Sequence, residues 1–517
     1  RCRAIWKNFC AIRNTQYAQR TRKIREVEMS GIFGVVSKGD CAEVLLYGTD
    51  YHSHLGTEYG GMAIFGKDFS RQIHNISQTQ FKSKFFEDSR SMKGNKGIGV
   101  ISAFEEQPIY LNCKFGPFCV VTNGFIENKE KLARDVMNRG LSFSEVSKSG
   151  VNATELIAKL ISEGKDIIDG IEKVFDAIEG SCSLLLLTKD GIYAARDRLG
   201  YTSLVVGKRS DAWAVTSETS AFPNSNFEIF KYLEPGEIIF VSDKGIAQRK
   251  KGGRDSQICS FFWIYTGFPA SNYEGINTEI VRERCGRCLA KHDKDIKVDV
   301  VVGIPDSGIA HAIGYSMESG KPFRRPLVKY TPGYGRSYTP PSQATRDLIA
   351  KMKLVPIKEI IDGNSIVVCE DSIVRGTQLK NFTVHKLWDG GAKEIHVRPA
   401  CPPLMFPCNF NFSTRSINEL AARRAIRDIE GKDIDDVSEY LDPDSPKYKK
   451  MTEWIRKDLE VTTLRYQTIE EMVESIGLPK EKLCTYCWTG VCPGKAKSVA
   501  SKVKKEKMRL KEMAAAR

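Results

Sequence analysis

The chain has 517 residues, of which 41% are hydrophobic and 27% charged, with a formal net charge of +14. That length suits about two to four domains. No apolar run approaches the roughly 20 residues a membrane helix needs, and the basic N-terminus lacks the apolar core of a signal peptide, so a cytoplasmic protein with no membrane partner is expected. Residues 1–28 contribute +6 and residues 494–517 contribute +7, leaving about +1 between them. The charge therefore belongs to two tails, and without aromatic–basic interleaving a nucleic-acid partner is not expected. Fifteen cysteines are scattered, several in apolar strands (Cys119, Cys182, Cys369). Reduced thiols fit that pattern better than a disulfide framework does.

Residues 1–29 read as a basic extension, and Met29 is a candidate initiator before an abrupt strand signal, Ser30–Val36. From Ser30 to residue 254 short strands and Gly-rich turns dominate. Strands are predicted at Ala63–Phe65, Val120–Thr122, Cys182–Leu187 and Ile238–Val241, and helices at Ala153–Gly164 and Ile167–Ile178. That mixture predicts an α+β layered domain over 30–254, closed by a polar linker, Gln248–Ser256.

Residues 255–493 alternate strand and helix. The helix Asn277–Ala290, the strand Val298–Val302, the loop Gly303–Gly308 and the helix Ile309–Ser319 come first. The strand Leu327–Lys329 and a Tyr/Pro/Gly loop, Tyr330–Thr345, follow. Then come the strand Ile366–Cys369, the helix Gln378–Leu387 and the strand Glu394–Arg398. This predicts a doubly wound, mostly parallel α/β domain. Residues 494–517 form a Lys-rich, helix-prone tail.

The most informative stretch is Ile366–Thr377, IVVCEDSIVRGT. A buried strand delivers two acids, Glu370 and Asp371, to its end, and a small loop, Ser372–Thr377, leads into a helix. Free N–H groups of such a loop favour a phosphate, and the acids suit ribose hydroxyls or a shared Mg²⁺. The stretch resembles the phosphoribosyl pyrophosphate (PRPP) motif of type I phosphoribosyltransferases.

Further matches are Val302–Gly308 (VGIPDSG), Lys393–Val397, Arg196–Gly200 (RDRLG) and Tyr232–Ile239 (YLEPGEII). From Ser30 to about Gly490 the chain resembles the glutamine phosphoribosylpyrophosphate amidotransferase family. The resemblance implies an N-terminal-nucleophile hydrolase-like αββα domain followed by a type I phosphoribosyltransferase domain. It implies PRPP contacts from Asp306, Ser307, Gly308, Lys329, Arg336, Lys353, Glu370, Asp371, Ser372, Val374, Arg375, Gly376 and Thr377. Ser307, Glu370 and Asp371 would ligate Mg²⁺.

The N-terminal half departs from the family. Ser30 stands at the nucleophilic Cys position. Leu55 replaces the Arg of the H-R-G-Q-E-G motif. Ser102 stands where an Arg would hold the glutamine carboxylate, and Ala153 where an Asp would hold its ammonium. The oxyanion pair is kept as Asn123-Gly124, which otherwise reads as a tight turn. Glutamine is thus expected to be neither held nor cleaved, leaving ammonia, free or from a separate glutaminase, as nitrogen donor. Cys259, Cys408, Cys484 and Cys487 match the ligands of those members that carry a [4Fe–4S] cluster, and a Cys₄ set suits Zn²⁺ equally. Cys285 and Cys288 read as structural, within a helix. The expected function is amidophosphoribosyltransferase in a homo-oligomer. The alternative is a non-catalytic PRPP-binding regulator or a scaffold.

Overall fold

The computed structural model describes residues 30–147, 150–253, 255–330, 354–377, 379–408, 410 and 416–491. Two antiparallel sheets stack in the first half. One orders its seven strands Glu228–Tyr232, Val205–Arg209, Ala212–Thr216, Gly31–Ser37, Lys96–Ser102, Tyr59–Phe65, Phe69–Asn75. The other orders six as Gly245–Lys250, Ile238–Ser242, Ile192–Ala195, Gly180–Leu187, Gly116–Ile126, Ile109–Cys113.

Strand side chains alternate between faces, so each strand serves two cores. Ile32, Val36, Ile98, Val100, Val121, Leu185 and Leu187 meet between the sheets. Phe33 and Val35 face the helices Ala42–Asp50 and Phe81–Ser91. Val120, Leu184 and Leu186 face the helices Ala153–Ser162 and Ile167–Ala177. The layers are helix, sheet, sheet, helix, as the resemblance implied. Asn152 and Asp166 cap the latter two helices, accepting from Glu155 N at 3.0 Å and Asp169 N at 2.9 Å.

One expectation needs correction here. The linker does not begin at Gln248, because Gly245–Lys250 is an edge strand pairing with Ile238–Ser242. Its polar residues are those an edge strand turns to solvent. The helices Ala42–Asp50, Phe81–Ser91 and Lys129–Asn138 went unread. Phe81–Ser91 is mostly polar and buries few side chains, so its periodicity is faint.

The second half is built on a parallel sheet, ordered Val300–Gly303, Ser365–Glu370, Glu394–Pro399, Thr463–Leu464. The helices Thr278–Lys291 and Ile309–Ser319 pack almost backbone to backbone. A Cβ at Gly286 would lie 1.9 Å from the His311 carbonyl oxygen, and one at Gly314 1.9 Å from that of Glu283. Leu327–Lys329 does not join this sheet but pairs antiparallel with Leu354–Pro356. The helix predicted at Gln378–Leu387 is a widened π turn, Leu379–Val384, followed by a short α-helix, His385–Asp389. Its buried Leu379, Thr383 and Val384 are spaced for that wider turn, and β-branched Thr and Val crowd a tight one.

The halves share side chains. Leu55 and Tyr201 belong to the hydrophobic core of the second half. Arg196 pairs with Glu274 at 2.7 Å, and Asn272 N donates to Thr219 Oγ1 at 2.7 Å. Among the described residues no helix is long and apolar enough to cross a membrane.

Candidate active site and cysteine centre

Strand Ser365–Glu370 ends at the C-terminal edge of the parallel sheet, where such sheets bind ligands. Ser307 Oγ donates to Glu370 Oε1 at 2.7 Å, and the Asp371 N–H donates to the same oxygen at 3.0 Å. Ser372 Oγ donates to Asp371 Oδ1 at 2.5 Å. Burial, reinforced by the adjoining Asp371 carboxylate, holds the Glu370 carboxyl well above its ordinary range. Burial raises Asp371 as well, against hydrogen bonds and the Arg282 guanidinium. The three residues expected to share a cation therefore stand together.

Gly303–Gly308 folds over the neighbouring strand end. Ile304 N donates to the Cys369 carbonyl at 3.1 Å, and a Cβ at Gly308 would lie 2.1 Å from that oxygen. Lys329 Nζ donates to Asp306 Oδ2 at 2.7 Å, which puts this cation beside the loop. Across the site, Gly376 turns the loop Ser372–Thr377 at φ +79°. The Val374 and Arg375 carbonyls accept from Ala421 N and Arg424 Nη1, at 2.8 and 3.1 Å. The Arg375 guanidinium pairs with Glu419 at 2.7 Å, and Thr377 opens the helical turn beyond. Arg336 and Lys353 lie outside the described residues.

Arg282 escaped the sequence reading. It is buried and donates to the carbonyls of Trp263, Tyr265 and Gly267 at 2.8–2.9 Å, which fixes the turn Phe262–Thr266. Its place among Val281, Cys285, Gly286 and Leu289 on the buried helix face was the available signal.

In the first half, Gly31 pairs with Ile101, and one register step further sets Ser30 opposite Ser102. By strand alternation Ser30, Ser102 and Asn123 share the inter-sheet side with Ile32, Val100 and Val121. Ser30 Oγ and Asn123 Oδ1 are buried and have no hydrogen-bond partner among the described residues. Asn123-Gly124 is not a turn, since both lie inside strand Gly116–Ile126, opposite Ser183 and Cys182.

A residue without any local sequence signal, Glu105, joins Ser102 to Ala153. Ser102 Oγ accepts from Glu105 N at 3.3 Å. The Glu105 carboxylate accepts from Ala153 N at 2.7 Å, Thr154 N at 3.2 Å and Thr154 Oγ1 at 2.8 Å. Burial raises this carboxyl while those donors oppose the shift. Glu105 thus sits on the N-terminus of helix Ala153–Ser162, a position that favours a carboxylate. Nearby, His54 Nε2 lies 2.8 Å from Glu218 Oε2, and Tyr273 Oη donates to Glu218 Oε1.

The four matched cysteines converge from three segments. Cys259 and Cys484 are partners on short parallel strands. The Cys408 and Cys487 thiols lie within hydrogen-bonding reach, and the N–H groups of Met405 and Phe406 hold the Cys487 carbonyl. Burial and the neighbouring sulfurs push the Cys259 thiol far up. Among the described residues, no group of three or more His, Cys, Asp or Glu side chains already stands in a metal-holding arrangement. Cys285 is buried in its helix and Cys288 lies 3.8 Å from Ser475 Oγ, apart from this set.

A family model described as a glutamine amidotransferase domain matches residues 97–224. An amidophosphoribosyltransferase of Methanocaldococcus jannaschii is 30% identical over 493 residues, spanning 90% of this chain and 98% of its own. One from Pyrococcus horikoshii is 34% identical over 423 residues, spanning 80% and 91%. Glutamine PRPP amidotransferase from B. subtilis, solved with ADP and GMP, matches with a TM-score of 0.77 at 28% identity, covering 90% of this chain and 97% of that one. The two halves are therefore a glutamine-amidotransferase-like domain joined to a type I phosphoribosyltransferase domain. The chain belongs to the amidophosphoribosyltransferase family.

Proposed function

We propose that this chain forms 5-phosphoribosylamine from PRPP, the first step of de novo purine biosynthesis, with nitrogen from ammonia rather than from glutamine in cis. The observation that carries the reading is the contrast between the two sites. In one, Ser307, Glu370 and Asp371 meet beside an open phosphate loop. In the other, Glu105 ties Ser102 to Ala153, the positions from which glutamine would be gripped.

Ser307, Glu370 and Asp371 offer oxygen donors at one point, and their suppressed ionisation is what a dication would reverse. Bound there, Mg²⁺ would offset charge on the departing pyrophosphate. The loop Ser372–Thr377 would hold the 5′-phosphate on its N–H groups. Lys329 would exchange Asp306 for the pyrophosphate, its charge complementing the leaving group. Ammonia then attacks ribose C1 as the C1–oxygen bond to pyrophosphate breaks, and the ammonium formed at C1 gives a proton to solvent to leave the amine. At the cysteine centre, buried Cys259, Cys484 and Cys487 with half-buried Cys408 supply a Cys₄ donor set, which fits a [4Fe–4S] cluster or Zn²⁺ and would tie the C-terminal segment down.

The test is pyrophosphate release from PRPP and Mg²⁺ with either nitrogen donor. Ammonium should support turnover that rises with pH as free ammonia replaces the cation. Glutamine alone should give almost none, and Ser30→Ala should leave the ammonia rate unchanged. Glutamine-dependent turnover near the ammonia rate, abolished by Ser30→Ala, would refute the proposal.

A further inference from the structure

The motif Arg196–Gly200, with Tyr201 behind it, has no part in either site. It leaves strand Ile192–Ala195 of the first half and ends inside the core of the second. Its path is fixed at every step. Arg196 donates to the carbonyls of Thr202 at 2.9 Å and Gly200 at 2.7 Å, and pairs with Glu274 across the joint. Asp197 Oδ1 accepts from Leu199 N at 3.0 Å and Tyr201 N at 3.1 Å, and its Oδ2 from Thr202 N at 3.2 Å. The Tyr201 ring lies against Phe410, centroids 3.9 Å apart. Its hydroxyl then reaches the cysteines: Oη donates to Cys484 Sγ at 3.7 Å and lies 4.0 Å from Cys408 Sγ.

Tyr201 is only 1% exposed, so its hydroxyl needs an acceptor within the protein, and a phenylalanine would fill the same core without that need. A thiol sulfur is an acceptor of only modest strength. As metal-bound thiolates the sulfurs it meets would be charged, and a phenol donor would become far more favourable. We propose that Tyr201 is a positioning residue of the four-cysteine centre, through which the N-terminal half supplies a hydrogen bond to the Cys484 sulfur. The inference rests on reading Cys259, Cys408, Cys484 and Cys487 as a metal or cluster site. Hydrogen bonds of this kind orient ligands, slow metal loss and raise the reduction potential of iron–sulfur clusters.

Tyr201→Phe keeps the ring against Phe410 and removes only the hydroxyl. Full-length wild type and variant, purified anaerobically, should contain equal metal per chain. Release to a chelator should be about 10–100-fold faster in the variant. If the metal is iron, the variant's potential should also be more negative, and transfer of the wild type to D₂O should shift its iron–sulfur stretching bands by Raman spectroscopy. Equal release rates at full loading would overturn the inference while sparing the metal site. Wild-type protein with neither iron nor zinc in stoichiometric amount would overturn the metal reading and this inference with it.

Discussion

Glu370 and Asp371 are adjacent, buried, and drawn to hydroxyls on either side of one strand end. Folding raises the pKa of both. Between the unfolded and the raised value, the native chain holds more protons than the unfolded one. Stability from these groups is therefore full below the unfolded value and falls as pH rises through a window that opens near 4.5 for Glu370. Glu370→Gln with Asp371→Asn removes both titrations at little change in shape. The variant should fold, lose on the order of 100-fold or more in PRPP turnover, and lose this fall of unfolding free energy with pH. Turnover at the wild-type rate, or an unaltered pH profile in urea unfolding without divalent ions, would count against the assignment. This pair was legible in the sequence because the acids and their loop are contiguous. Glu105 was not, because its meaning lies in Ala153 and Thr154, brought to it only by folding.

Elements were legible where periodicity was strong and caps were local. Helices Ala153–Ser162 and Ile167–Ala177 have both, with Asn152 and Asp166 as caps. The short helices Ala42–Asp50 and Phe81–Ser91 do not, because neither has a capping side chain. Helix Ala153–Ser162 also leans on Glu105 at its N-terminus. Glu105 satisfies two of its otherwise orphaned N–H groups. Glu105→Ala would bury those donors unpaired, and should lower the unfolding free energy by about 1–3 kcal/mol. Glu105→Gln keeps an acceptor there and should cost less. Equal losses for Ala and Gln, measured by urea unfolding near neutral pH, would show that the carboxylate oxygens are not what holds the helix end.

Across the whole molecule, the question is how the two halves are held together. The structure answers through packing. Leu55 of the first half lies in the core of the transferase half. Tyr273 from that half is stacked on Phe262 and donates to buried Glu218 of the other. Glu218 is held below its ordinary carboxylate range, burial being outweighed chiefly by His54 beside it, so the joint buries a charged group of the first half. Arg196 adds a second such bond, to Glu274. Removing one partner of a buried charged contact costs more than the contact contributes, because the other is left desolvated. The halves should therefore unfold together, in one calorimetric transition. Tyr273→Phe with Glu274→Ala removes the Tyr273 bond to Glu218, leaving only the 3.4 Å contact from Ser271 Oγ across the joint, and strips Arg196 of Glu274, while each half keeps its own sheets and cores. Heated, that variant should separate into two transitions or shift the single one down by several degrees, a loss of about 2–5 kcal/mol being enough for either. An unchanged single transition would mean that the apolar contacts around Leu55 and Tyr201 alone hold the halves together, and that the buried charges at the joint contribute nothing to keeping them so.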